Sequence, residues 1–289
     1  MISVVLPVRD GLPWLDKQLA ALAAQQCEEP WEVVVADNGS TDASKALAHS
    51  WEERCGAIRV VDASERIGPS AARNAGIRSA RGELLAFCDA DDVVQAGWLR
   101  ACVDALGDAD VVAGAFDLWS LNGDADDADR VGRVGPDDGT GPAATSQLGF
   151  LPAGLAANLA ARRQAVEAVG GFDESLFVGE DIDLCWRLQL EGFRFAIAPA
   201  AVVAKRERPG LGPLFGRAVA YGRCGPKLYR RYRARGAHRD VAGAARSWAW
   251  LVVSLPKLGR RHVRRMWVRA VGVRLGRLVG SVSEGAFFP

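Results

Sequence analysis

One stretch constrains this chain more than any other. Leu84–Asp92 reads LLAFCDADD, an apolar run that passes through a cysteine into three carboxylates. A short apolar run bounded by turn-forming acids reads as a buried strand of a parallel sheet. Its carboxyl end would deliver Asp89, Asp91 and Asp92 to the edge where open α/β sheets bind ligands. Asp89 and Asp91 stand two apart, so extended chain points them the same way. Paired carboxylates repel unless a cation lies between them, and hard oxygens suit Mg²⁺ or Mn²⁺. Mg²⁺ held by one or two carboxylates takes further ligands from phosphates, so the implied ligand is a metal diphosphate. The plainer alternative is an acidic turn in which Asp91 or Asp92 caps the next helix.

The flanking segments repeat the strand–helix rhythm of a parallel sheet. Ile2–Pro7 is a β-branched strand, Val8–Gly11 a loop, and Trp14–Gln26 has helical spacing. Glu32–Ala36 and Ile58–Asp62 read as strands, and Gly68–Gly76 opens a helix with Pro69 in its first turn. Further on, Asp110–Phe116 reads as a strand, Asn122–Gln147 as a long polar loop, and Ala156–Val169 as a helix ended by Gly170-Gly171. Asp181 precedes an apolar-periodic run to Gly192. An acid there is either a helix cap on the dipole or, at an open sheet edge, a general base. Phe195–Val203 carries Pro199, which predicts an edge strand.

The first strand–helix turn, PVRDGLPW, lacks a dinucleotide fingerprint, and no Walker A sequence occurs. Diphosphate would therefore be held by a metal on Asp89 and Asp91. The six cysteines are scattered without CxxC spacing, which argues against a zinc site and for a reducing compartment. The opening MISVVLPV predicts a strand rather than a signal peptide.

The net charge of +1 hides a division. Residues 1–204 hold 16 Lys/Arg against 32 Asp/Glu, and residues 205–289 hold 20 against 3. A basic tail calls for an anionic surface. Leu214–Arg235 reads as a helix broken at Gly225-Pro226. Arg246–Leu258 and Arg260–Val279 mix Trp and Arg with aliphatics, the composition of interfacial amphipathic helices. The longest apolar run, Trp248–Leu255, is too short to span a bilayer. Packing on the catalytic body or a homodimer contact are the alternatives for this tail.

Five motifs in order, ISVVLPVRDG, EVVVADNGSTD, GPSAARNAGI, LLAFCDADD with Trp98-Leu99, and GGFDESLFVGEDIDLCWRL, give residues 1–205 a specific likeness. The chain resembles the family-2 glycosyltransferases of the GT-A fold. That resemblance implies an α/β fold with a mostly parallel nucleotide-binding sheet flanked by helices, followed by a basic helical extension. The expected domains are residues 1–204 (donor half about 1–92, acceptor half about 93–204) and 205–289.

It also implies roles. Pro7, Val8, Arg9, Asp10, Asp37 and Asn38 would form the nucleoside pocket, with Arg73 and Asn74 beside the donor. Asp89, Ala90 and Asp91 match the DxD, with Asp89 and Asp91 binding the divalent metal. Asp181 matches the general base, Glu180 supports it, and Trp98 and Asn158 fall on the acceptor side. Many relatives carry a metal-ligating His where this chain has Lys205. A protonated lysine ligates no metal, so Lys205, Arg206 or Arg208 would contact the diphosphate directly.

The expected activity is inverting transfer of a sugar from a UDP, dTDP or GDP donor to an acceptor hydroxyl, in synthesis of a glycan, glycolipid or glycosylated metabolite. The expected location is the cytoplasm, at the inner face of the membrane, with no nucleic-acid partner. The rivals are a sugar nucleotidyltransferase, which needs a phosphate-cradling loop near the N-terminus, and a non-catalytic scaffold on anionic membrane.

Overall fold

A computed structural model describes residues 1–118, 120–122, 149–207 and 210–289. The expected loop at Asn122–Gln147 lies, apart from Asn122, outside the described residues. The chain divides into two compact units, Met1–Thr145 with Pro152–Glu207, and Ser146–Leu151 with Arg208–Pro289.

The first unit is built on one sheet whose strands, β1 (Ile2–Val8), β2 (Trp31–Asp37), β3 (Ile58–Asp62), β4 (Leu84–Cys88), β5 (Val93–Val94), β6 (Val111–Asp117), β7 (Asn158–Arg162) and β8 (Phe195–Ala204), lie in the order β3-β2-β1-β4-β7-β6-β8-β5. Strands β1, β2, β3 and β4 run parallel. Helices α1 (Leu15–Ala23), α2 (Ser44–Arg54) and α3 (Pro69–Ser79) make the crossovers between them. Val4, Val5, Leu6, Val33, Val34, Leu85 and Phe87 are fully buried, as a sheet covered on both faces demands. Gly76 of α3 lies so close to Val5 that a Cβ would collide with its side chain, which lets the helix sit down on β1. All these strands end at one edge, and the loops leaving β1, β2 and β4 meet there.

Two expectations about the strands are corrected. Ala156–Val169 is not one helix: Asn158–Arg162 forms β7, and only Arg163–Ala168 is helical, as α5. β7 is inserted antiparallel between β4 and β6 (Val111–Asp117), pairing Ala160 with both Ala86 and Val112. An alanine-rich run favours helix by intrinsic preference, and pairing on both sides overrides that preference. Nor is the strand with Pro199 an edge. β8 (Phe195–Ala204) lies between β6 and the two-residue β5 (Val93–Val94). Its register jumps from Gly114↔Ala198 to Ala115↔Val202, so Pro199 falls in a bulge where no ladder N–H is required.

Helix α4 (Trp98–Leu106) begins after Gly97, so neither Asp91 nor Asp92 is its cap. Helix α6 (Glu180–Leu190) starts after Gly179 with Glu180, Asp181 and Asp183 in its first turn.

The second unit is helical, with α7 (Leu211–Tyr232), α8 (Val241–Val253) and α9 (Arg261–Glu284). The predicted break at Gly225-Pro226 is absent; α7 continues through a buried Pro226. An interior proline costs about 3 kcal/mol, and tight packing against α9 offsets it. A Cβ on Gly276 would strike the Val219 carbonyl, so α7 and α9 approach at backbone contact.

Candidate active site

The loops after β1 and β2 are tied to each other. Asp10 takes a left-handed backbone, φ 49°, which Asp tolerates better than most residues. Its Oδ1 accepts from the Thr41 N–H (2.7 Å) and hydroxyl (3.1 Å) and from the Asp42 N–H (3.2 Å). These bonds, that from the Thr41 amide foremost, hold the Asp10 carboxyl below its usual range. The Val8 carbonyl accepts from the Asn38 N–H at 2.7 Å, while Pro7 is half-buried and Arg9 exposed. Asp37, buried, accepts from the Ser40 amide at 3.4 Å.

Two residues expected at the donor brace the scaffold. Asn38 donates to the carbonyls of Ala63 (2.5 Å) and Arg66 (2.8 Å) and accepts from the Gly68 N–H (2.8 Å). Asn74 donates to the Phe172 carbonyl and to Glu174, and accepts from the Phe172 N–H, each at 2.9 Å. Their side-chain amides are engaged in fixing the β3–α3 loop and the segment before α6.

Arg73 is the centre of the arrangement. Its guanidinium donates through Nη1 to Glu180 at 2.9 Å and through Nη2 to Asp89 at 2.8 Å, with its side chain 5% exposed. It lies 5.5 Å over the Phe172 ring, and its buried Nε has no hydrogen-bond partner. Burial works to lower the Arg73 pKa, but the charges of Asp89, Glu180 and Asp181 prevail and raise it. Burial, helped by the charge of Asp181, pushes Glu180 up to about 7. Asp181 is also raised, chiefly by burial, against the pull of Arg73 and of the Ile182 (2.8 Å) and Ala156 (3.2 Å) amides.

The acidic turn lies alongside. Oxygen atoms of Asp89, Asp91 and Asp92 all fall within 4.8 Å of one another. Asp92 is fully buried, and its Oδ2 takes the Lys205 ammonium at 2.8 Å while its Oδ1 takes the Arg206 N–H at 2.8 Å. Burial raises Asp92 to about 6 despite that partner. Lys205 Nζ is 3.8 Å from Asp89 Oδ2 and 5.4 Å from the Phe116 ring centre. Burial would lower the lysine, but Asp92 and then Asp89 raise it well above its ordinary value. Arg206 Nε donates to the Asp91 carbonyl at 2.9 Å and stacks 5.5 Å over Trp14. Ala90 is half-buried between the two acids.

Trp98 and Asn158 do not line the site. Both are fully buried, and the indole Nε1 donates to Asn158 Oδ1 at 2.8 Å. Asn158 also donates to the Ala115 (2.7 Å) and Ala201 (2.9 Å) carbonyls, satisfying the bulge in β8. They form a buried polar bridge between α4 and the sheet rather than an acceptor surface. Conversely, Asp92, Asn122 and Gln18 carry more than the sequence suggested. Asn122 braces the Lys205 carbonyl (2.7 Å) and the Glu207 N–H (2.7 Å), and Gln18 donates to the Asp89 carbonyl (3.0 Å). The third acid of DADD and the Lys205-Arg206 pair were the available signals.

The donor set fits a divalent metal in part. Asp89 and Asp91 offer hard oxygens, as Mg²⁺ or Mn²⁺ requires, whereas Asp92 is already neutralised by Lys205.

A family model for glycosyl transferase family 2 matches residues 3–142, and one for glycosyl transferase family group 2 matches residues 84–272, more than half the chain. The chain belongs to the family-2 glycosyltransferases. It is 29% identical over 270 residues to the pre-mycofactocin glycosyltransferase of Mycobacterium tuberculosis, covering 88% of this chain and 53% of the relative. With glycosyltransferase AglE of Haloferax volcanii it shares 28% over 211 residues, 72% of this chain and 67% of the relative. The chain thus spans about half the length of the first of these curated relatives. In fold it is similar to the mannosyltransferase PcManGT of Pyrobaculum calidifontis, solved with GDP-Man and Mn²⁺ (TM-score 0.71, 18% identity, 98% of this chain and 87% of that one). It is also similar to glucosyl-3-phosphoglycerate synthase of Mycobacterium tuberculosis, solved with Mn²⁺, UDP and glucosyl-3-phosphoglycerate (TM-score 0.55, 22% identity, 80% and 79%).

Proposed function

We propose that the chain transfers a sugar from a nucleoside-diphosphate donor to an acceptor hydroxyl in one inverting displacement. The observation that carries this reading is the Arg73 bridge, which joins the end of β4 to the start of α6 through Asp89 and Glu180. Arg73 thereby holds the metal-type carboxylates and the candidate base in one constellation. Asp10, Asp37 and the backbone around Pro7–Arg9 supply the nucleoside side of the cleft. A divalent ion on Asp89 and Asp91 would supply charge compensation for the departing diphosphate. Lys205, at the rim of that acidic turn, adds a fixed positive charge beside the same phosphates. Asp181, whose carboxyl is raised by burial, takes the acceptor proton, since a base of raised pKa is the stronger proton acceptor.

The second unit is read as the surface that meets an anionic membrane at the inner face of the cell. Among the described residues no helix is long and apolar enough to cross a bilayer. Trp248, Val252, Val253 and Leu255 are exposed, and Lys257, Arg260, Arg261, Arg264 and Arg265 follow closely. Exposed apolar groups beside clustered cations suit an anionic interface. The described cysteines form no disulfide, in keeping with a reducing compartment.

The test is a thermal-shift panel of UDP, GDP and dTDP with and without Mn²⁺, followed by transfer assays. One nucleotide should raise the midpoint, and Asp91→Ala should abolish the Mn²⁺-dependent part. Asp181→Asn should bind the donor normally and lose transfer by about 10²–10⁴-fold. Full transfer by Asp181→Asn leaves that carboxylate as a helix cap only, and no shift with any nucleotide favours the scaffold.

A further inference from the structure

Between the end of β4 at Cys88 and the start of β5 at Val93, residues 89–92 lie outside the sheet ladder. The backbone bond inside this turn, from the Asp92 N–H to the Asp89 carbonyl, is long at 3.4 Å. Two side chains from remote parts of the first unit hold it. Gln18 of α1, fully buried, donates through Nε2 to the Asp89 carbonyl at 3.0 Å and accepts at Oε1 from the Val94 N–H at 3.0 Å. One amide thus clips both ends of the turn. Arg206, just past β8, donates through Nε to the Asp91 carbonyl at 2.9 Å and through its own N–H to Asp92 Oδ1 at 2.8 Å.

The carbonyls gripped in this way belong to Asp89 and Asp91, the two candidate metal ligands. The Arg206 guanidinium rests 5.5 Å over the ring of Trp14, the residue that precedes α1. Its buried Nη2 has no hydrogen-bond partner among the described residues. A buried donor left unmet is costly, so the Trp14 ring and the Asp91 carbonyl hold the group in place against that cost. Gln18 and Trp14 both come from the start of α1, and one helix end therefore supports both grips.

Asp89, Asp91 and Asp92 keep carboxylate oxygens within 4.8 Å of one another, where like charges repel. Asp89 and Asp92 are already partnered by Arg73 and Lys205. A small divalent ion demands near-ideal ligand geometry, so it tolerates little drift of the backbone that carries Asp89 and Asp91. Groups that orient metal ligands from outside commonly set the metal affinity. We propose that Gln18 and Arg206 are positioning residues for the divalent ion, gripping the backbone at Asp89 and Asp91 so that the two carboxylates stay close enough to share it. The proposal rests on the metal site of the sugar-transfer reading, and neither residue is given contact with the ion, the donor or the acceptor.

Mn²⁺ affinity is read from the electron-spin signal of the free ion, with whichever of UDP, GDP or dTDP raises the melting midpoint of the parent chain. Arg206→Met should bind Mn²⁺ about tenfold more weakly or worse, as when the outer partner of a metal ligand is removed. Charge alone predicts the opposite sign, because deleting a cation beside two carboxylates tightens a divalent ion. Gln18→Leu changes no charge and should weaken Mn²⁺ by a similar factor. Both variants should bind the nucleotide without metal as the parent does. Mn²⁺ held by Arg206→Met as tightly as by the parent, or more tightly, overturns the proposal. So does a loss of metal-free nucleotide affinity with Mn²⁺ affinity unchanged, which puts Arg206 on the diphosphate. Trp14→Leu leaves every acid and cation in place and removes only the ring under Arg206. It should weaken Mn²⁺ about threefold, and it decides the proposal if either other variant does not fold, parent-like affinity overturning it. A parent that binds no Mn²⁺ with any nucleotide overturns the metal reading and this proposal together. Mn²⁺ binding by the parent that all three variants retain overturns the proposal alone.

Discussion

The Lys205 ammonium lies 2.8 Å from the Oδ2 of Asp92, a carboxylate with no exposed surface. This pair closes one side of the acidic turn, so a cation carried by the chain itself is already lodged next to Asp89. The third acid of DADD is therefore spent on Lys205 and the Arg206 amide, while Asp89, which also takes Arg73, shares the turn with Asp91.

Removing the lysine leaves Asp92 buried without its partner. Lys205→Met should cost about 3 kcal/mol, as for other broken buried pairs. Adding Asp92→Asn should recover much of it, because an Asn oxygen still accepts from the Arg206 N–H. Denaturant unfolding of both variants measures this, and a single variant as stable as the parent would show the pair to be idle.

Arg73 serves two carboxylates with one planar fork, which an ammonium on a shorter reach does not reproduce. Arg73→Lys should lose about 2–3 kcal/mol of stability, and donor affinity should fall with it because Asp89 is released. Unfolding and nucleotide titration read the two effects. Stability lost without any change in nucleotide binding would confine Arg73 to the scaffold.

Glu180 makes a pH prediction whose sign is fixed by its raised value of about 7 against 4.5 for an ordinary glutamate. The folded state holds this proton more tightly than the unfolded chain. Its contribution to stability is therefore present in full below about pH 4.5 and is lost as pH rises toward 7. Glu180→Gln cannot ionise, so the difference in melting temperature between variant and parent should widen in favour of the variant across that interval. A difference that stays flat with pH would place Glu180 in the ordinary carboxylate range.

Val252 and Val253 are 66% and 69% exposed at the end of α8. Val252→Asp/Val253→Asp should abolish flotation with anionic vesicles while leaving donor binding intact, since these residues belong to the second unit. Binding to anionic vesicles should also weaken with salt, as a charge-driven association does. Flotation equal to that of the parent would remove this surface from the membrane reading.

Much of the first unit was legible because its signals are local. β-branched runs, Pro69 in a helix's first turn and the acids after Phe87 each report their own conformation. The five motifs brought the family with them. Segments whose partners are remote in sequence were harder to read. Asn158–Arg162 looks helical in isolation and is a strand because β4 and β6 flank it. Pro199 suggests an edge until the bulge opposite Gly114 and Ala115 is seen.

The candidate site divides in the same way. That Asp89, Asp91, Glu180 and Asp181 are acids at element ends follows from sequence alone, because strand ends and helix starts are local events. Which of them share a cation, and which neighbouring amides are consumed in bracing loops, was decided only by tertiary structure. Asn38, Asn74, Trp98 and Asn158 are polar or amphipathic residues that fit a binding role as readily as a buried brace. Burial and partner geometry choose between those roles, and both depend on chain segments that meet only once the sheet is assembled.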